Sequence, residues 1–126
     1  MSGLPTGTVT FVFTDIEGST LALQALADRW LPVLEDHNRL LRSAVREAGG
    51  LDIRTEGDAL FAVFESARAA VAAGAAAQRA LAAHTWPPDV PIRVRMGMHT
   101  GERVVGDDDY MGLDVHRAAR IATTAH

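Results

Sequence analysis

The sequence predicts an α+β fold: a split βαββαβ core whose antiparallel sheet carries helices on one face. Three observations predict it. A β-branched and aromatic run, Val9 to Thr14, opens the chain. Two strand-like runs flank the short turn Glu56-Gly57-Asp58. That hairpin lies between two stretches of helical character. The length, 126 residues, suits one domain spanning 1–126.

Each element follows in order. Val9-Thr10-Phe11-Val12-Phe13-Thr14 reads as a buried strand, and Asp15 to Thr20 as the turn that ends it. Ser19 or Thr20 is the expected cap of a helix over Leu21–Arg29. Pro32 interrupts the helical pattern, because proline suits a first turn but not an interior. A second helix is therefore expected over Pro32–Ala48, with Leu34, Leu41, Val45 and Ala48 on its apolar face and Gly49-Gly50 as its stop. Leu51–Thr55 and Ala59–Phe64 form the hairpin. Ser66 caps an alanine-rich helix over Ala67–Ala83. Trp86-Pro87-Pro88 is a loop, and Ile92–His99 alternates as a further strand, continued by Glu102–Val105 after a bend at Gly101. An acidic turn, Gly106 to Asp109, precedes a last helix after Gly112 that carries His116, Arg120 and Ile121. The strand and helix order is that of a ferredoxin-like core, a topology that hosts many functions and decides none.

Composition narrows the chemistry. Twelve basic against sixteen acidic residues give a net charge of −4, which argues against direct nucleic-acid binding and against an anionic membrane surface. The absence of cysteine removes disulfide, thiol-nucleophile and cysteine–zinc chemistry. No apolar run is long enough to span a membrane, and Met1 to Thr6 lacks a signal-peptide pattern. A cytoplasmic enzyme or regulatory domain is the expectation.

Asp15 and Asp58 are the sharpest pair of candidates. One follows the first strand and the other sits at the hairpin turn, ends that this topology can bring together. Two carboxylates at ~4 Å repel by about 4 kcal/mol at an effective dielectric near 20. A divalent cation removes that repulsion, and Mg²⁺ typically takes one or two carboxylates plus phosphate oxygens. The plain alternative is a helix cap and a turn residue. Glu17-Gly18-Ser19-Thr20 at a helix start offers backbone N–H groups to a phosphate, or simply caps the helix. His116 and Arg120, four apart, share a helix face that either holds a polyphosphate or is solvated. Arg54 on its strand and the Asp107-Asp108-Asp109 run read as solvated.

Four ordered motifs carry a family resemblance. Val9–Thr20 (VTFVFTDIEGST) resembles the opening motif of class III adenylate/guanylate cyclase catalytic domains. Arg54–Phe64 (RTEGDALFAVF) resembles their hairpin, Met96–Glu102 (MGMHTGE) their next strand, and Asp109–Ile121 (DYMGLDVHRAARI) their following helix segment. The resemblance implies a head-to-tail homodimer with sites at the interface. One protomer would supply the metal ligands Asp15 and Asp58, assisted by the Ile16 carbonyl, for two Mg²⁺ or Mn²⁺ ions. Its Glu17, Gly18, Ser19 and Thr20 would cradle the triphosphate. The other protomer would read the purine with Arg54 and Asp109 and stabilise the transition state with His116 and Arg120.

The implied reaction converts ATP to 3′,5′-cyclic AMP and pyrophosphate. Asp109 resembles the adenine-reading pattern, which points to ATP over GTP. Arg54 stands where the family usually has lysine, and His116 where it usually has asparagine. The family's domain normally continues with further strands and a helix, which this chain is expected to lack. An attached regulatory or DNA-binding domain in a longer chain fits the same resemblance. The alternative readings are a catalytically weak or inactive cyclase-like module that binds nucleotide or dimerises, and an RNA-binding module on the same topology, which the acidic charge disfavours.

Overall fold

The computed structural model describes residues 7–88 and 90–103. β-Branched and aromatic side chains favour extended backbone, and they build a four-stranded antiparallel sheet. The strands are β1 (Gly7–Ile16), β2 (Leu51–Glu56), β3 (Ala59–Phe64) and β4 (Val94–Arg103), in spatial order β2-β3-β1-β4. The helices are α1 (Ser19–Leu26), α2 (Trp30–Glu47) and α3 (Ala67–Ala83), with a short 3₁₀ turn over Ala27–Arg29 between the first two. The α+β fold and the helix-covered antiparallel sheet are as expected from the sequence. None of the described helices is long and apolar enough to cross a membrane.

The pleat sorts the side chains of β1 into two sets. Val12 lies opposite Ala62 and Met98, and these pack with Leu60 and Phe64 against Leu41, Ala44 and Val45 of α2 and Ala70, Ala73, Ala77 and Leu81 of α3. Burying each large side chain in this layer contributes about 1.5–3 kcal/mol. The small residues of α3 let it approach the sheet closely. A Cβ at Gly74 would come within 2.9 Å of Met98 Cε. Val9, Phe11, Phe13 and Val63 form a second apolar cluster on the opposite face, joined by Ile53, Ala59 and Phe61.

Several boundaries differ from the sequence expectation. Pro32 stands in the first turn of α2, where its missing N–H costs nothing, so the helix starts at Trp30. Of the expected apolar face of α2, Leu41 and Val45 are buried, while Leu34 and Ala48 are only half-buried; Val33, His37 and Ala44 complete the buried face. α2 ends in a Schellman motif: Gly50 N–H donates to Val45 C=O at 2.9 Å, and Gly49 N–H to Arg46 C=O at 3.0 Å, with Gly49 at φ 85°. β4 begins at Val94 and runs straight through Gly101, which pairs with Val9, so no bend divides it. The expected strand beyond Arg103, the acidic turn and the last helix lie outside the described residues.

Candidate functional site

The site forms where β1 ends. Asp15 lies opposite Arg95 in the β1–β4 register, and Ile16 opposite Val94. Beyond Ile16 the backbone reverses. Glu17 N–H donates to Arg93 C=O at 2.7 Å, and Gly18 adopts a left-handed conformation, φ 66° and ψ 33°. A side chain at that φ is strained, so glycine suits the corner. Ser19 is then the first helical residue, and no side chain caps α1. The expectation that Ser19 or Thr20 caps the helix is therefore corrected: the tight turn leaves them inside the first turn. The uncapped first-turn N–H groups of α1 lie at the positive end of the helix dipole.

The β2–β3 hairpin brings Asp58 to the same corner. Ile16 N–H donates to Asp58 Oδ2 at 2.8 Å, which pins the hairpin carboxylate against the Asp15–Ile16 peptide. Asp15, Ile16 and Asp58 are thus brought together, with Glu17 to Thr20 following directly. Asp15 is not a bare carboxylate, however. Arg95 grips it with both arms, Nε to Oδ1 at 2.8 Å and Nη2 to Oδ2 at 2.9 Å. The hydrogen bond to Asp15 raises the guanidinium's pKa further above its usual value, with the charges of Asp15, Glu17 and Asp58 adding to the effect. The two side chains keep 15% and 21% of their surface exposed, so the pair sits at the rim and is not sealed in the core. Among the described residues, no three His, Asp or Glu side chains gather as a metal centre.

Arg54 is positioned by a β-bulge. The register passes from Asp52↔Ala62 to Arg54↔Phe61, so one extra residue, Ile53, is inserted on β2. The bulge turns Arg54 onto the face of Phe61, where its guanidinium carbon lies 4.9 Å from the ring centroid and its Nε 3.1 Å from Glu56 Oε1. Phe61 in turn packs on Phe13, ring centroids 4.7 Å apart. Arg54 on β2 and Arg95 on β4 stand three strand spacings apart across the sheet, about 14 Å at ordinary strand spacing. Within one chain Arg54 is held on β2 by Phe61 and Glu56, two strands away from the end of β1 that carries Asp15. Asp109, His116 and Arg120 lie outside the described residues.

Two residues of this region were not singled out from the sequence. Arg95 belongs to an alternating strand, and only the register reveals that it faces Asp15. His37 falls on the apolar stripe of α2 at the spacing Val33-His37-Leu41, a signal that a different choice of stripe hid. It is fully buried, and that burial holds its pKa below the usual 6.5, against the opposing influence of Asn38 and Asp58.

Residues 2–126 match the family described as the adenylate and guanylate cyclase catalytic domain. The chain is 34% identical over 146 aligned residues to an adenylate cyclase of Neurospora crassa, covering 96% of this chain and 6% of that protein. It is 35% identical to an uncharacterised protein of Mycobacterium tuberculosis, covering 97% of this chain and 41% of the relative. The chain thus spans less than half of either relative's length. Among solved structures, an adenylate cyclase of Trypanosoma brucei in its monomeric state superimposes with a TM-score of 0.84 at 26% identity, covering 99% of this chain and 72% of the other. The adenylyl cyclase CyaB of P. aeruginosa shares the fold, with a TM-score of 0.74 at 22% identity over 97% of this chain and 74% of its own.

Proposed function

The chain belongs to the adenylate and guanylate cyclase catalytic domain family, and on that premise we propose that it is a purine nucleotide cyclase converting ATP to 3′,5′-cyclic AMP and pyrophosphate. The observation that carries the reading is the hydrogen bond from Ile16 N–H to Asp58, which pins the hairpin carboxylate against the Asp15–Ile16 peptide at the entrance to α1. In the reaction the ribose 3′-hydroxyl attacks the α-phosphate, and pyrophosphate leaves.

The donor types suit Mg²⁺ or Mn²⁺. Asp15 and the Ile16 carbonyl at the end of β1 and Asp58 on the hairpin are hard oxygen donors at one corner of the fold. Arg95 now supplies the positive charge that such a cation would supply, so guanidinium and cation compete for Asp15. When bound, the cations lower the hydroxyl's pKa and offset charge on the phosphates. The chain's own groups do the positioning. The first-turn N–H groups of α1 receive phosphate oxygens. Arg95, on leaving Asp15, faces the same anionic space. Arg54, held on Phe61, lies too far along the sheet to serve the same Asp15, which fits a purine site shared with a second protomer. Within that homodimer Asp109 would read the base, and His116 and Arg120 would neutralise the charge that develops in transition.

Incubation with Mn²⁺ and either ATP or GTP tests the reading. We expect cyclic AMP from ATP at a rate that Asp58→Ala lowers by about 10²–10³ or more. Cyclic nucleotide formation equal in wild type and Asp58→Ala would contradict it.

A second reading is favoured by the same Arg95 contact. With both Asp15 oxygens engaged, the domain would bind nucleotide or dimerise without turnover and regulate an attached domain. ATP binding with no cyclic product under either metal would favour that reading.

A further inference from the structure

We propose that Thr14 and His37 form a buried polar strut, bridged by one internal water, that positions Asp15 and Asp58 from beneath. His37 has no exposed surface and Thr14 only 2%. His37 Nδ1 lies 2.8 Å from Asn38 Oδ1. An amide oxygen only accepts, so Nδ1 carries the proton, and the neutral ring leaves Nε2 as a bare acceptor. That atom has no hydrogen-bond partner, and neither does Thr14 Oγ1. The large majority of buried side-chain polar atoms are paired, so each of these needs an explanation.

Their placement supplies one. Thr14 directly precedes Asp15 and lies opposite Leu60 and Met96, on the sheet side that α2 and α3 cover. His37 precedes Leu41 by one turn on the face of α2 that enters the same layer. Asp58 is close enough for its charge to act on the imidazole. A buried water makes about three hydrogen bonds. Here it accepts from the Thr14 hydroxyl and donates to His37 Nε2 and to the Asp58 carboxylate. The strut ties α2 to the corner where the end of β1 meets the β2–β3 hairpin, and it makes His37 a positioning residue rather than a catalytic one. The water bridge follows from burial and hydrogen bonding; its consequence for the cation rests on the cyclase reading.

Four variants test it: Thr14→Val, His37→Leu, the double variant, and His37→Gln. Two quantities are measured on each, the Mn²⁺ dissociation constant by calorimetry and the urea midpoint. Outer partners of metal ligands typically contribute 10–100-fold to affinity, so each single apolar variant should weaken Mn²⁺ binding about tenfold. The double variant should be no weaker than either single one, and His37→Gln, which keeps a polar group there, should recover most of the loss. A His37→Leu protein that binds Mn²⁺ like the wild type would overturn the proposal, as would losses that multiply in the double variant. Should His37→Leu fail to fold, Thr14→Val against His37→Gln carries the same comparison. If the wild type binds no Mn²⁺, the cyclase reading fails by itself, and the urea midpoints decide the strut: coupled losses support it, additive losses refute it.

Discussion

Arg95 and Asp15 show how one residue pair sets the terms for a whole site. A bidentate guanidinium–carboxylate contact is specific as well as strong, and here it occupies the carboxylate that the proposed chemistry needs. Removing the guanidinium leaves an excess of negative charge at the end of β1. Arg95→Gln should therefore tighten Mn²⁺ binding by about tenfold at low salt, an effect that shrinks as salt is added. Calorimetry checks this, and weaker binding would contradict it. His37 makes a different prediction at the same scale. Its folded-state pKa lies below the unfolded value of 6.5, because burial disfavours the charged ring. The unfolded chain then binds the proton more readily than the native one, so stability falls as pH drops below about 6.5 and is unaffected above it. Urea midpoints against pH should show that slope in the wild type and a shallower one in His37→Leu.

At the scale of elements, turn chemistry explains both what the sequence disclosed and what it hid. Gly49-Gly50 marks the end of α2 because a left-handed residue is needed there. A Cβ on Gly49 would meet nothing within 4 Å, so Gly49→Ala tests backbone strain alone. It should cost about 1–2 kcal/mol, read as a lower urea midpoint with an unchanged slope. The hairpin around Gly57-Asp58 and the alanine-rich α3 were legible for similar local reasons. The start of α1 was not, because Ser19 and Thr20 look like caps while the chain actually turns at Gly18. The bulge at Ile53 was equally hidden, since an inserted residue shows only when the partner strand is known. That insertion is what lays Arg54 on Phe61. Phe61→Ala should free the guanidinium, raising the KM for nucleotide more than it lowers kcat, as steady-state kinetics would show.

The whole molecule was legible in outline because its two periodicities agree. Strand runs alternate, helix runs recur every three to four residues, and both place apolar side chains in the layer between the sheet and α2 with α3. The long-range pairing of Asp15 with Arg95, 80 residues apart, depends on strand order β2-β3-β1-β4, which no local pattern encodes. The same order sets Arg54 two strands away from Asp15 within one chain, and the proposed purine site is completed by a second copy. Mixing Asp15→Ala protein with Arg120→Ala protein should restore cyclic AMP formation that neither shows alone. Continued inactivity of the mixture would place the whole site in one protomer.

In the proposed cyclase the turn joining β1 to α1 and the β2–β3 hairpin together hold a divalent cation. Mn²⁺ titration of the wild type, Asp15→Asn and Asp58→Asn by electron paramagnetic resonance tests it most directly. Saturable binding is expected in the wild type, and either substitution should weaken it by about tenfold or more. Binding of equal strength in all three proteins, or none in the wild type, would contradict it.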